Sequence, residues 1–178
     1  MKVSLAILII FKYPMNLFCR IIIFVVFAVF QTTVLASQAP NQAVDFSLST
    51  ELGQVISLSD YKGKPLVLHF WATWCPYCKK LQPSLDKLYI KYQTQGLEMV
   101  AISFWEEDGA DPQAELSKRG MNFITLINGD NIAKQYGVKG TPTTFFINSS
   151  GEVLYKSTNS DPDNPKLEQA VQAIITSN

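Results

Sequence analysis

Leu66-Val67-Leu68-His69-Phe70-Trp71-Ala72-Thr73-Trp74-Cys75-Pro76-Tyr77-Cys78-Lys79-Lys80 is the stretch that decides how the rest of this chain is read. Leu66 to Trp71 is apolar except for His69, the pattern of a central strand buried on both faces. Pro76 stands where a helix would begin, a favoured place because its missing N–H has no intrahelical partner to lose. Leu81, Leu85, Leu88 and Tyr92 then recur at helical spacing, predicting a helix through about Gln95. Pro83 is expected to kink that helix or interrupt it locally. Cys75 and Cys78 therefore straddle a strand-to-helix turn. The first turn of a helix has unpaired N–H groups and a positive dipole end, so a thiolate at Cys75 would be stabilised there. Cys78 lies one turn later, where its sulfur can meet that of Cys75. Cys75 would attack a disulfide, and Cys78 would resolve the mixed disulfide. A bare Cys-x-x-Cys also serves metal knuckles, but the strand before, the helix after and the aromatic flank favour redox chemistry.

Outward from this motif the chain alternates strands and helices. Phe46 to Ser49 and Val55 to Leu58 flank Glu51-Leu52-Gly53-Gln54 and predict an N-terminal hairpin. Leu97 to Phe104 is a second buried strand. Asp111-Pro112 opens a short helix through Arg119. Phe123 to Ile127 is a third strand, and Asn131 to Tyr136 a short helix ended by Gly137. Thr143 to Asn148 and Glu152 to Lys156 form a hairpin across Ser149-Ser150-Gly151, and Asp163 or Asn164 opens a terminal helix. The expected architecture is α/β.

Of the 178 residues, those from 1 to about 36 are apolar and free of acids. Ile21 to Phe30 resembles the apolar region of a signal peptide, Arg20 precedes it, and Val34-Leu35-Ala36 offers a cleavage site after Ala36. An uncleaved membrane anchor is the rival reading, although Ile21 to Ala36 falls short of the ~20 residues a membrane helix needs. A start at Met15 would leave a more compact basic leader. Residues 37–43 read as a polar linker and residues 44–178 as one domain. All 15 acids lie from Asp45 onward, whereas Lys2, Lys12 and Arg20 precede them, so the body is mildly acidic. It holds one arginine, Arg119, and no basic patch, which gives nucleic-acid binding no electrostatic support. Cys19 lies beside the leader. The remaining pair is too few cysteines for a disulfide scaffold or a four-cysteine zinc site, so neither a metal nor a cofactor is expected.

Trp71 to Lys80, followed by Pro83 and by Gly140-Thr141-Pro142-Thr143-Thr144-Phe145-Phe146, resembles the thioredoxin superfamily. Asp45-Phe46-Ser47-Leu48 and Leu58-Ser59-Asp60-Tyr61-Lys62-Gly63-Lys64-Pro65 are similar to the opening of its exported bacterial members of the TlpA/ResA type. The likeness spans roughly residues 44–176. It implies a thioredoxin-like fold, a central mixed sheet of four or five strands flanked by helices, with the hairpin as an N-terminal extension. It also implies an exposed Cys75, a more buried Cys78, and a cis bond before Pro142 that faces the cysteines and lets the Thr141 backbone pair with an extended substrate. Trp74, Pro76, Tyr77, Thr141 and Pro142 form the expected substrate-facing rim, and Trp71 is expected in the core. The implied activity is disulfide exchange with partner proteins in the periplasm. The sequence leaves reduction, oxidation and isomerisation of partner disulfides open; reduction is the expected direction, with a membrane or soluble electron-transfer partner.

The chain departs from that family in several places. His69 stands where thioredoxins carry a buried acid beneath the cysteines, and two readings are open: a proton relay to Cys78, or a packed core imidazole. Leu81 replaces a glutamate found in some ResA-like proteins. Thr143 follows the proline where cytochrome-c-maturation relatives favour glutamate. Pro76-Tyr77 is the glutaredoxin dipeptide, but no glutathione-site signature accompanies it. Trp105-Glu106-Glu107-Asp108 at the end of the second strand reads as a solvated loop with one half-buried tryptophan, against an alternative of partner contact. A thioredoxin-fold Cu(I) carrier is the competing function, since two thiolates can hold Cu(I). It wants a distant histidine or methionine ligand, and the single histidine is predicted beneath the motif. A thiol peroxidase would need a threonine and an arginine beside its cysteine. Thr73 is present, but Arg119 has no evident route to the site.

Overall fold

The structure, a computed structural model, describes residues 41–177. The expected leader and residues 37–40 of the linker lie outside the described residues. Strand β1 (Ser47–Ser49) pairs antiparallel with β2 (Val55–Ser57), the hairpin read from the sequence. A 3-10 turn, Leu58–Tyr61, follows, and the Ser57 N–H donates to Asp60 Oδ2 at 2.8 Å across it.

The main sheet holds β3 (Leu66–Trp71), β4 (Glu98–Ser103), β5 (Ile124–Leu126), β6 (Thr143–Ile147) and β7 (Val153–Ser157). Their order is β5-β4-β3-β6-β7, with β3 central. The β3–β4 and β4–β5 pairs are parallel, and the β3–β6 and β6–β7 pairs are antiparallel. Helices α1 (Pro76–Tyr92), α2 (Pro112–Lys118), α3 (Asp130–Gln135) and α4 (Lys166–Thr176) complete the thioredoxin-like fold expected from the sequence.

Period-2 alternation explains why β3 reads as one apolar run. Leu66, Leu68 and Phe70 pack on one face with Val100, Ile102, Phe145 and Ile147. Val67 and Trp71 pack on the other with Leu81, Leu85, Phe146, Val171 and Ile174. Every residue of β3 is buried. Full burial of each large apolar side chain is worth about 1.5–3 kcal/mol, so the strand that delivers the motif is anchored on both faces. Trp71 also satisfies its indole N–H by donating to Thr125 Oγ1 at 3.0 Å.

Two expectations about local structure are corrected. Of the two effects expected of Pro83, interruption is absent: α1 runs through it to Tyr92. The proline removes one backbone donor, and the buried Cys78, Leu81, Gln82 and Leu85 hold the helix against the sheet on either side. Residues 41–43 are not free linker. Gln42 bridges Glu152, the Ala43 N–H donates to Gly151 O at 2.9 Å, and the Val153 N–H donates to Asn41 O at 2.8 Å. Their backbone joins the β6–β7 turn, a pairing no side-chain pattern announces. The last helix, Lys166–Thr176, is opened by Asn164 as expected: its Oδ1 accepts the Lys166 N–H at 3.1 Å, and Pro165 between them already has helical φ and ψ.

At the C-terminal end of β4, Gly129 packs against the backbone, its N–H donating to Ser103 O at 2.9 Å. A Cβ there would collide with the Ile102 side chain and stand 2.7 Å from the Ser103 carbonyl oxygen, so the start of α3 is held tightly against the strand end.

Candidate active site

Trp71 ends β3, and the chain turns through Ala72, Thr73 and Trp74 before α1. The Cys75 N–H donates to Ala72 O at 3.1 Å, which closes that turn. Cys75 is the N-cap of α1 in extended conformation, with Pro76 in the first helical turn as the sequence implied. Its Sγ accepts the Cys78 N–H at 3.0 Å. The sulfur thus takes up one of the unpaired donors of the helix start, the interaction that would favour a thiolate once the pair is reduced. Cys75 and Cys78 are joined in a disulfide, with their Cα atoms 5.3 Å apart.

One implied feature is corrected here. Cys75 is not exposed: it is 1% accessible and Cys78 0%. Bonded to a fully buried sulfur, Cys75 belongs to the apolar cluster containing Trp71, Ala72 and Leu81. The surface around it is supplied by Trp74, 48% accessible, and Tyr77, 62% accessible. Pro76 is exposed and Trp71 is in the core, as expected. The Thr141–Pro142 bond is cis, and Pro142 is buried while Thr141 is half-buried. Leu81, in place of the ResA-type glutamate, is wholly buried in the core.

Beneath the motif lies a polar chain that the sequence reading only partly anticipated. His69 is fully buried and sits directly opposite Thr144 in the β3–β6 register. Its Nδ1 is 2.9 Å from Thr144 Oγ1, and its Nε2 is 3.5 Å from Gln82 Nε2. Arg119 Nη2 donates to Gln82 Oε1. A guanidinium only donates, so it orients the Gln82 amide with its NH₂ toward the imidazole. His69 Nε2 is then the acceptor, and Nδ1 carries the proton donated to Thr144, a tautomer assigned from the network. Burial, and secondarily the Arg119 charge, push the His69 pKa down to about 3. Gln82 and Arg119 were missed as partners of His69. Gln82 could have been found, since it lies four residues after Cys78 on the same helical face. Arg119 comes from the end of α2, and nothing local in the sequence links it to β3.

Arg119 also lies over the Trp71 ring, 5.7 Å from its centroid, and its Nε is 3.4 Å from Glu115 Oε1. Thr73 Oγ1 donates to Glu106 Oε2. Both residues a thiol peroxidase would direct at its cysteine are thus engaged elsewhere. Lys79, one residue after Cys78, pairs with Glu115 at 3.1 Å. Among the described residues, no three His, Cys, Asp or Glu side chains gather as a metal site.

The loop after β4 holds a third missed residue. Trp105 is 51% accessible, as a half-buried loop tryptophan should be, but Glu106 is more than a solvated acid. It accepts three donor groups from Thr73 and Ser103. A crevice of about 530 Å³ opens beside it, lined by Glu51, Glu107, Asp108, Asp111 and Asp130 among others. Glu51 is pushed up to about 7 there, by burial first and then by its contact with Asp111.

The fold and this cysteine pair together define the class: a thioredoxin-fold thiol–disulfide oxidoreductase. Its sequence relatives agree. Residues 39–156 match the AhpC/TSA family, and the chain belongs to that family. It is 36% identical over 119 residues to the thiol-disulfide oxidoreductase ResA of Halalkalibacterium halodurans, covering 66% of this chain and 67% of that protein. It is 35% identical over 131 residues to ResA of Geobacillus thermodenitrificans, covering 73% and 75%. Among solved structures, it resembles a Chlorobium tepidum protein assigned as thiol:disulfide interchange protein DsbE. The TM-score is 0.69 at 33% identity, over 76% of this chain and 96% of that one. A secreted Mycobacterium tuberculosis disulfide oxidoreductase homologous to DsbE superposes with TM-score 0.62 at 27% identity, over 72% and 95%.

Proposed function

We propose that this oxidoreductase works as a reductant of partner-protein disulfides in an extracytoplasmic compartment. The observation that carries the redox chemistry is the Cys75–Cys78 disulfide at the start of α1, with the Cys78 N–H on Cys75 Sγ. In the reduced protein the Cys75 thiolate attacks one sulfur of a partner disulfide. A Cys75–partner disulfide forms and one partner thiolate leaves. Cys78, as thiolate, then attacks Cys75 Sγ, expels the second partner thiolate and restores the intramolecular disulfide. Two electrons and two protons pass to the partner, and a thiol donor must return them.

Trp74, Pro76 and Tyr77 form the exposed edge a partner would meet, and Thr141 and Pro142 complete the substrate rim in this reading. Their support is the exposure of the first three and the resemblance for the last two. His69 is read as a packed core residue rather than a proton relay. Thr144 and Gln82 already occupy both ring nitrogens, and a base held neutral down to about pH 3 is a poor proton acceptor at neutral pH.

The direction of transfer is tested by equilibrating the protein with thiol–disulfide buffers of known potential. A Cys75–Cys78 potential more negative than about −230 mV, toward that of thioredoxin, is expected for a reductant; one near −120 mV would make the protein an oxidant. The compartment rests on the apolar leader and on the relative described as secreted. N-terminal sequencing of the mature protein is expected to begin after Ala36. A retained Ile21 to Phe30 would mean a membrane tether.

A further inference from the structure

Glu106 makes a set of contacts that a solvated loop acid does not need. Its Oε1 accepts the Thr73 N–H at 2.9 Å and the Ser103 hydroxyl at 2.6 Å. Its Oε2 accepts the Thr73 hydroxyl at 2.5 Å and shares the Thr73 N–H at 3.1 Å. One half-buried carboxylate thus ties the end of β4 to the turn that leads from β3 into Cys75. The neighbouring residue makes a second tie, since Trp74 Nε1 donates to Trp105 O at 2.7 Å. Trp105 is one of two non-glycine residues with positive φ among the described residues, at 56°. This left-handed step is unfavourable for a residue with a side chain and persists only where surrounding contacts hold it. Here the Trp105 N–H donates to Asp130 Oδ1 at 3.2 Å, Trp74 holds its carbonyl, and Glu106 anchors the next residue.

We propose that Glu106 is a positioning residue for the nucleophile: through Thr73 it fixes the Ala72–Trp74 turn and so holds Cys75 at the N-cap of α1. The chain of contacts is short. Glu106 holds Thr73, the Ala72 carbonyl of the same turn accepts the Cys75 N–H, and Cys75 Sγ in turn accepts the Cys78 N–H. Freed of the clamp, the turn relaxes, Cys75 leaves the cap, and its thiolate loses part of the stabilisation that the helix start supplies. Glu106 touches neither the sulfurs nor a partner, and its own negative charge would disfavour a nearby thiolate. Its value to the site is therefore geometric. The proposal rests on Cys75 being the nucleophile.

Charge and geometry are separable by substitution. In Glu106→Gln the amide oxygen can accept the Thr73 N–H and the Ser103 hydroxyl, while the amide NH₂ donates to Thr73 Oγ1 after that hydroxyl rotates. The clamp survives without the charge. Glu106→Ala removes both, and Thr73→Val removes one tie from the other side. The readout is the rate at which the reduced protein's Cys75 is alkylated by iodoacetamide, followed by mass spectrometry from pH 5 to pH 9. Each variant's melting temperature is measured so that alkylation is compared only where the protein is folded.

Glu106→Ala is expected to slow alkylation at neutral pH about tenfold and to move its pH profile to the alkaline side, since a tenfold loss of thiolate corresponds to about one pH unit. Thr73→Val is expected to shift the profile the same way by a smaller amount, and Glu106→Gln to keep the wild-type rate or exceed it. An unshifted profile in folded Glu106→Ala, with only its melting temperature lowered, would reduce Glu106 to a structural residue. Equal slowing in Glu106→Gln and Glu106→Ala would also overturn the geometric role. If wild-type Cys75 itself reacts no faster than an ordinary thiol, the fault lies with the assignment of the nucleophile rather than with Glu106.

Discussion

Cys75→Ser is expected to bring disulfide exchange down to the uncatalysed level, and Cys78→Ser to turn the protein into a trap. The two outcomes differ because the cysteines act in sequence. Without Cys75 no bond to the partner forms. Without Cys78 the first attack proceeds, but nothing expels the partner, and the mixed disulfide accumulates. Incubating each reduced variant with a disulfide-bonded peptide and resolving the products on a non-reducing gel distinguishes them. The Cys78→Ser adduct should map to Cys75 by mass spectrometry. Adducts on both variants to the same extent, or full turnover by either, would contradict the order of events. The burial of Cys75 at 1% in the disulfide form sharpens this expectation. A large partner disulfide should react with the reduced protein only if the rim at Trp74 and Tyr77 lets it reach the sulfur, whereas a small disulfide faces less obstruction.

The second large effect is expected from His69. Its folded-state pKa of about 3 lies below the 6.5 of an ordinary imidazole. Between those values the unfolded chain binds a proton that the folded chain does not. Stability therefore rises with pH across this window and is lost as pH falls below about 6.5, by about 1.4 kcal/mol per pH unit for this single proton. His69→Asn removes the titration. Urea unfolding at pH 7, 6 and 5 is expected to show the wild type losing stability more steeply than the variant, the difference approaching that one-proton slope. The variant should be less stable at pH 7, because the shorter side chain leaves space at a fully buried position and strands part of the Thr144–Gln82–Arg119 chain. Parallel pH dependence in the two proteins would mean that His69 is not held neutral. The same variant tests the relay. Resolution of a preformed mixed disulfide should keep its wild-type rate and pH profile. A selective slowing of that step would restore His69 to the proton path.

Much of this was present in the amino-acid order, for physical reasons that act locally. A buried strand needs an uninterrupted apolar run, and a helix start tolerates proline. A dithiol that must close on itself needs its cysteines one turn apart. Leu66 to Lys80 satisfies all three, so the strand, the helix and the redox pair are readable from fifteen consecutive residues. The hairpins at 46–58 and 143–157 carry their own alternation and turn residues and are legible on the same terms. Tertiary structure decided what those residues meet. Glu106 comes within reach of Thr73 only because β4 lies parallel to β3 in a register that sets Ser103 beside Trp71. Arg119 reaches Gln82 because α2 ends near α1, and Thr144 faces His69 because β6 returns antiparallel on the other side. These contacts join residues 33, 37 and 75 positions apart. Side-chain chemistry at one position says nothing of which distant partner the sheet order will bring, so the cysteine pair was legible in the chain while the groups that hold it in place were not.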